Sequence, residues 1–364
     1  MEEWETKKLG EIATFSKGKG ISKSDIEENG IIECIRYGEL YTHYREVINE
    51  IKSKTNVNPS TLVLSEKNDV IIPASGETTI DIATASCVLK SGIALGGDLN
   101  IIKTNINGIF LSYYLNSKKK MEIANLAQGI SVVHLYSSQL ASLSLSLPKL
   151  NEQNRISSFL ALIDERIQTQ NKIIEELKLL KITLRYQLYE QILNHENEYV
   201  QVKDTLNYEQ PTKYLVTNTD YSSDISLIPV LTANKAFVLG YTDEEFGIYD
   251  KGQCIIFDDF TMDIKFVNFP FKVKSSAIKI LTAKPNVNLK FIFEYLSFLN
   301  LSSNEHKRHY ISEIETMEMQ LPNYIQQTYV ADFLASIDDK IKTEFEIHTL
   351  LLKQKQYLLA NLFI

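Results

Sequence analysis

The chain has only three cysteines in 364 residues. Cys34, Cys87 and Cys254 are isolated, odd in number and without histidine at ligand spacing. That argues against disulfides and a zinc site, and it fits a reducing cytoplasm. Long apolar runs are also missing. The richest stretch, residues 291–301, is interrupted by Glu294 and Asn300 and is too short to span a bilayer. The charged opening, Met1-Glu2-Glu3-Trp4, lacks the apolar core of a signal peptide. Positive charge is scarce too: 38 Lys and Arg stand against 46 Asp and Glu, for a net charge of −8. Such a balance disfavours a stand-alone nucleic-acid binder, unless basic patches are local or partner chains supply the phosphate grip.

What is present is a chain 44% hydrophobic and 10% aromatic, the composition of a folded protein. Its length favours more than one domain. Sliding the sequence on itself by 174 residues reveals an internal repeat. Tyr136 and Ser138 fall on Tyr310 and Ser312. Between residues 147–167 and 321–341, 9 of 21 positions are identical without a gap. Chance gives roughly one or two. The identities include Leu147-Pro148, Gln153, Phe159-Leu160-Ala161, Ile163-Asp164 and Ile167.

Each copy begins as a strand, with Leu143, Leu145 and Leu147 alternating with serines, and Met317, Met319 and Leu321 alternating with Glu318 and Gln320. Pro148 and Pro322 end these strands, because proline cannot donate to a ladder. A long helix is then expected in each copy. Ile156, Leu160, Ile163, Ile167, Ile174, Leu177, Leu184 and Leu188 form one heptad seam; Val330, Leu334, Ile337, Ile341, Leu351, Leu358 and Leu362 form the other. About 40 residues without Gly or Pro point to a coiled coil rather than an ordinary buried helix. Gln170 and Lys181 interrupt the first seam, and Glu344, His348 and Lys355 the second. Polar seam positions cost stability but fix register and partner choice.

Before each repeat lies a block rich in β-branched and aromatic residues, with a helical stretch expected near its end at residues 110–127 and 289–299. The interiors of the two blocks do not align. A repeated frame carrying different inserts suggests two separate recognition events.

Taken in order, these motifs resemble the specificity subunit of a type I restriction–modification system, over essentially the whole chain. The resemblance rests on Trp4-Glu5-Thr6-Lys7-Lys8-Leu9-Gly10-Glu11-Ile12, on Ile35-Arg36-Tyr37-Gly38-Glu39-Leu40, on Gly96-Gly97-Asp98-Leu99-Asn100, and on the two Leu-Pro-x3-Glu/Gln-Gln helices with Phe-Leu-Ala-x-Ile-Asp. It departs at Val202-Lys203-Asp204-Thr205, which matches the opening phrase poorly. The resemblance implies an α+β fold: two α/β target recognition domains (1–148 and 197–322) and two long helices (149–196 and 323–364) that pair as an antiparallel, pseudo-twofold coiled coil. It implies a non-catalytic subunit in which each domain reads half of a split, asymmetric double-stranded DNA target. The helices set the unread gap and dock two methyltransferase subunits, which carry S-adenosylmethionine and methylate adenine. Two restriction subunits, using ATP and Mg, can join. No cofactor is expected in this chain.

Candidate DNA contacts follow from residue chemistry. In the first block, Lys17, Lys19 and Ser22 lie in a basic Gly-rich loop that lacks P-loop spacing. Arg36 can fork onto guanine or form an ion pair, with Tyr37 beside it. Ser75, Glu77 and Thr78 form a polar loop after a strand, and Gln128 and Ser131 follow a helix end. In the second block the candidates are Thr232, Asn234, Lys235 and Thr261, with Lys272, Lys274 and Ser275 alternating on a strand. His306, Lys307, Arg308 and His309 make the densest basic cluster.

Two rival classes remain: a coiled-coil interaction protein without a DNA role, and a self-contained nucleic-acid methyltransferase. The second draws on Asn268-Phe269-Pro270-Phe271, which is similar to the adenine-binding motif of methylases, but no Gly-rich cofactor loop precedes it. Asp258-Asp259 suggests a metal site only weakly, having no convergent acidic partner.

Overall fold

A computed structural model describes residues 4–129, 131–195, 197–233, 236–302 and 308–363. The chain divides into two compact units, Met1–Gln170 with Ile347–Ile364, and Asn171–Glu346. Each unit thus holds one block with part of each long helix.

The two expected long helices form as continuous elements, Leu150–Leu193 and Tyr324–Asn361. At 1.5 Å per residue they are roughly 66 and 57 Å long. Within the first unit Ile163 and Ile167 pack on Leu351, and Asp164 meets Lys355. Within the second, Lys181 meets Asp338. Lys178 of the same unit lies over the Phe345 ring at 5.0 Å. In both units rising numbers on one helix face falling numbers on the other, so the segments run antiparallel. The seam residues Ile156, Leu160, Ile163, Ile167, Ile174, Val330, Leu334 and Leu351 are buried. Leu177, Leu184, Ile337, Ile341 and Leu358 are half-buried.

The strands of the repeat are also present. Ser144–Leu147 pairs antiparallel with Glu5–Lys8, and Glu318–Leu321 with Glu198–Gln201. After each opening strand comes one helical turn, Leu9–Ile12 or Val202–Thr205, closed by a carboxylate: the Lys8 N–H donates to Glu11 at 3.1 Å and the Gln201 N–H to Asp204 at 3.0 Å. The poorly matching phrase at Val202 therefore builds the same element, because an acid at the third helical position and a buried apolar first residue suffice.

The block interiors, unalignable in sequence, share a strand order. In the first unit Ala13–Lys17, Leu99–Thr104 and Val70–Pro73 lie side by side, followed by Ser86–Val88 and Val47–Ile48. In the second, Leu206–Glu209, Ile278–Ala283 and Cys254–Asp258 repeat the first three, followed by Ile264–Val267. A second small sheet in each block holds a parallel pair, Ile32–Ile35 with Ala94–Leu95 and Ile228–Leu231 with Lys272–Val273. The central strands are all-apolar (Val70-Ile71-Ile72) or nearly so (Cys254-Ile255-Ile256-Phe257) and fully buried, as strands covered on both faces must be.

Each block ends in the expected helix, at Gly108–Ser117 with Lys120–Leu126, and at Leu289–Phe298. Asn107 caps the first by accepting from the Phe110 N–H at 2.9 Å, and Asn288 caps the second by accepting from Phe291 at 3.1 Å. Gln153 and Gln327 hold these caps to the repeat. The Gln153 side chain accepts from the Asn107 N–H at 3.0 Å, and Gln327 from the Asn288 N–H at 2.9 Å. An aromatic from the far end of a long helix then plugs each block. Phe363 sits 5.5 Å from Phe110 and 5.4 Å from Tyr114; Tyr189 sits 5.2 Å from Phe291 and 5.7 Å from Tyr295.

Candidate DNA interface

In both blocks most of the candidate loops gather at one end of the main sheet. In the first, the Ala74 N–H donates to Asp98 at 2.7 Å, and the Ala74 carbonyl accepts from Leu135 at 2.9 Å. Ser75–Gly76 then pairs with Val133–His134, and Gln128 bonds His134 in both directions. The loops carrying Ser75, Glu77, Thr78, Gln128 and Ser131 are therefore one surface. The turn after Ala13–Lys17 joins it, with the Gly18 N–H on Leu99 at 3.0 Å and the Lys19 N–H on Leu95 at 2.9 Å. Gly18 serves chain packing rather than phosphate approach, since a Cβ there would lie 2.0 Å from the Gly96 carbonyl. Arg36 and Tyr37 open a short helix (Tyr37–Thr42) packed on strands Val70–Pro73 and Ser75–Gly76.

The second block repeats this meeting of loops. The Asp259 N–H donates to Ala277 at 3.0 Å, and its carbonyl accepts from the His309 N–H at 3.1 Å. Thr261, Lys274, Ser275 and Arg308 thus occupy loops matching those of the first block. Beneath each surface lies a polar peg from the central strand. Asn100, fully buried, donates to the Leu135 carbonyl at 2.9 Å. Lys279, at the matching position, pairs with Asp259 at 3.3 Å and with the Tyr208 hydroxyl at 3.0 Å. Buried polar groups persist only when partnered, and the Leu135 and Asp259 partners belong to the loops themselves.

Several candidates are corrected by their surroundings. Lys272 is fully buried, its ammonium on Glu244 at 2.7 Å and on the Phe246 carbonyl at 2.6 Å. It cannot meet phosphate. Glu244 also accepts from Thr217 and Asn218; burial pushes its carboxyl up, but these bonds outweigh it and hold it at about 2. Ser75, Thr232 and His309 are buried, which withholds their side chains from DNA. The Ser22 hydroxyl is engaged on Asp25 at 2.6 Å. Arg36 takes its ion-pair alternative with Glu39, at 3.4 Å. Lys17, Lys19, Glu77, Thr78, Gln128, Ser131, Thr261, Lys274 and Arg308 are exposed. Asn234, Lys235, His306 and Lys307 lie outside the described residues.

The rival sites take structural roles. Asp258 accepts from the amides of Phe260 and Thr261, and Asp259 from those of His309 and Tyr310. Among the described residues no group of three or more His, Cys, Asp or Glu is placed to hold a metal. Phe271 of the methylase-like phrase is buried 4.9 Å from Tyr249, entering a strand rather than lining a base pocket.

Comparison with known proteins agrees with this architecture. The family model described as the type I restriction modification DNA specificity domain matches residues 1–179. The specificity subunit of the type I restriction enzymes EcoR124I and EcoR124II of Escherichia coli is 44% identical over 133 residues. That alignment covers 35% of this chain and 33% of the relative, about a third of the relative's length. The crystal structure of a type I restriction–modification S subunit from M. genitalium superposes with a TM-score of 0.69 at 16% identity, covering 99% of this chain and 96% of that one. Residues 1–179 belong to the type I restriction modification DNA specificity domain family. A further structure, from work on complex assembly of the type I system, gives a TM-score of 0.58 at 12% identity over 99% of this chain and 97% of that one. The matched domain is one of DNA specificity, not of catalysis. No described helix is long and apolar enough to cross a membrane.

Sequence reasoning did not single out His134 and Tyr136, which stand on the same loop surface. Both are exposed, their rings stack 6.5 Å apart, and the Lys17 ammonium lies 6.0 Å from the Tyr136 ring. A signal was available. Tyr136 aligns with Tyr310, which is buried against Phe257 and Tyr208, so the frame does not require Tyr136 to be exposed.

Proposed function

We propose that the chain is the non-catalytic sequence reader of a type I complex, with residues 1–148 and 197–322 acting as target recognition domains, each for one half of a gapped, asymmetric double-stranded DNA site. The observation that carries this reading is the matching pair of loop surfaces. They hang on equivalent strands and equivalent backbone bonds, yet present unrelated side chains. Two readers of different sequence on one repeated frame are what an asymmetric bipartite site requires. Exposed Lys17, Lys19, Lys274 and Arg308 provide phosphate contacts, and Glu77, Thr78, Gln128 and Thr261 offer base-edge groups.

The helical segments (149–196 and 323–364) set the gap and present two equivalent faces to two methyltransferase subunits. Those partners carry S-adenosylmethionine and supply much of the phosphate grip that a net charge of −8 withholds. Two restriction subunits using ATP and Mg complete the nuclease form. The complex works in the cytoplasm.

Long-read methylome sequencing of cells expressing this chain with its methyltransferase tests the reading. The expected result is methylated adenine in a two-part motif with a fixed gap. An ungapped motif, or methylation unchanged when this chain is omitted, overturns it.

A further inference from the structure

Each unit contains one buried lysine that joins three separate pieces of the protein. In the first, Lys355 of the second helix contacts Asp164 of the first helix at 2.7 Å and Glu46 of the block at 3.1 Å. In the second, Lys181 of the first helix contacts Asp338 of the second at 2.6 Å and Glu294 of the block at 2.9 Å. Lys181 and Lys355 are related by the 174-residue repeat, and so are Asp164 and Asp338. The block acids are not. Glu46 precedes the edge strand Val47–Ile48, while Glu294 lies within the helix Leu289–Phe298.

Two different blocks have thus brought a carboxylate to the same frame lysine from different places in their folds. The surroundings differ in compensation. Lys290 and Arg185 join Glu294 at 3.0 and 2.8 Å, whereas the Tyr113 hydroxyl donates to Asp164. The lysine and the helix aspartate are the constant pair. In a heptad seam an apolar residue at position 181 or 355 would pack as well. A buried ammonium instead demands carboxylates placed to match, and in some proteins such groups trade stability for uniqueness of arrangement.

We propose that Lys181 and Lys355 are docking nodes that fix the angle of each reading block on the helical frame, and that a carboxylate on the block facing the node is what matches a block to this frame. This rests on the bipartite-reader assignment above. Glu46 and Glu294 are positioning residues; neither belongs to the DNA surface.

The test uses the full chain assembled with its methyltransferase, on DNA sites whose gap is correct or one base pair longer or shorter. Two variants are compared, E46Q, which removes only the block arm, and K355R, which keeps the charge. The readout is the ratio of off-gap to correct-gap methylation, followed alongside the thermal midpoint. E46Q is expected to raise that ratio about tenfold while moving the midpoint little, because Glu46 reaches solvent at its edge. K355R is expected to keep the wild-type ratio. An unchanged ratio in E46Q overturns the node. A ratio that rises only in step with a falling midpoint also overturns it, since stability alone then explains the effect. Wild-type protein that shows no gap preference sinks the bipartite reading instead, so the two failures are distinguishable.

Discussion

Gln153 donates its side-chain amide to the Pro148 carbonyl at 2.9 Å, and Gln327 does the same to Pro322 at 2.8 Å. The other end of each amide accepts from the cap residue of the block helix, Asn107 or Asn288. One glutamine per unit therefore joins turn, long helix and block, and both are buried. Q153L or Q327L leaves a buried carbonyl and a half-buried N–H without partners. The buried orphaned carbonyl costs about 1–3 kcal/mol, and the half-buried N–H can turn to water. Denaturant unfolding of each variant is expected to show a loss in that range, and a loss below about 0.5 kcal/mol would mean that water replaces the amide.

This connection also marks the limit of what the sequence disclosed. The offset of 174 exposed Gln153 and Gln327 because helix registry tolerates no insertion. Their partners sit at another offset, 181, which aligns Asn107 with Asn288, Phe110 with Phe291 and Tyr114 with Tyr295. Seven residues of length difference inside the blocks hid that second match. The seams were legible because burial in a coiled coil is periodic. The buried pegs were not: Lys272 and Lys279 sit on strands whose alternation reads as solvent-facing, and only tertiary packing turns them inward. Arg36 shows the same limit, since Glu39 lies one helical turn away and the sequence left both fates open.

Phe363 yields a prediction about the opposite end of the chain. Its ring is buried against Phe110 and Tyr114 in the core of the first unit. F363A removes a buried aromatic, a loss of about 3–5 kcal/mol. The expected consequence is unfolding of the N-terminal block, read as protease sensitivity within residues 4–129. Cleavage in the second block alone would contradict this, because Tyr189 and not Phe363 fills that core.

Glu244 predicts an acid limb in the stability of the second unit. Its carboxyl is held at about 2 against an ordinary 4.5, so the charged form is favoured by folding. The contribution is complete above about pH 4.5 and is lost as pH falls towards 2. E244Q abolishes that dependence and leaves the buried Lys272 ammonium short of its charged partner, at a cost of about 1.5–3 kcal/mol at neutral pH. Urea midpoints between pH 2 and 5 should therefore slope less in E244Q than in wild type, and parallel curves would contradict the assignment.

Lys17 and Lys272 separate phosphate contact from structural support. Lys17 is exposed on the loop surface of the first block, whereas Lys272 is enclosed within the second by Glu244 and the Phe246 carbonyl. K17A in the assembled complex should weaken DNA binding to specific and non-specific sequences alike, and should lower the slope of log affinity against log salt by about 1. Stability should stay within about 0.5 kcal/mol, as is usual for a surface change. K272A should do the reverse: unfolding at lower denaturant, with no change in salt slope for the fraction that folds. Equilibrium binding at several salt concentrations, paired with urea unfolding, distinguishes the two. A K17A complex with an unaltered salt slope would remove Lys17 from the interface and move the phosphate grip of this block to Lys19 or to the partner subunits.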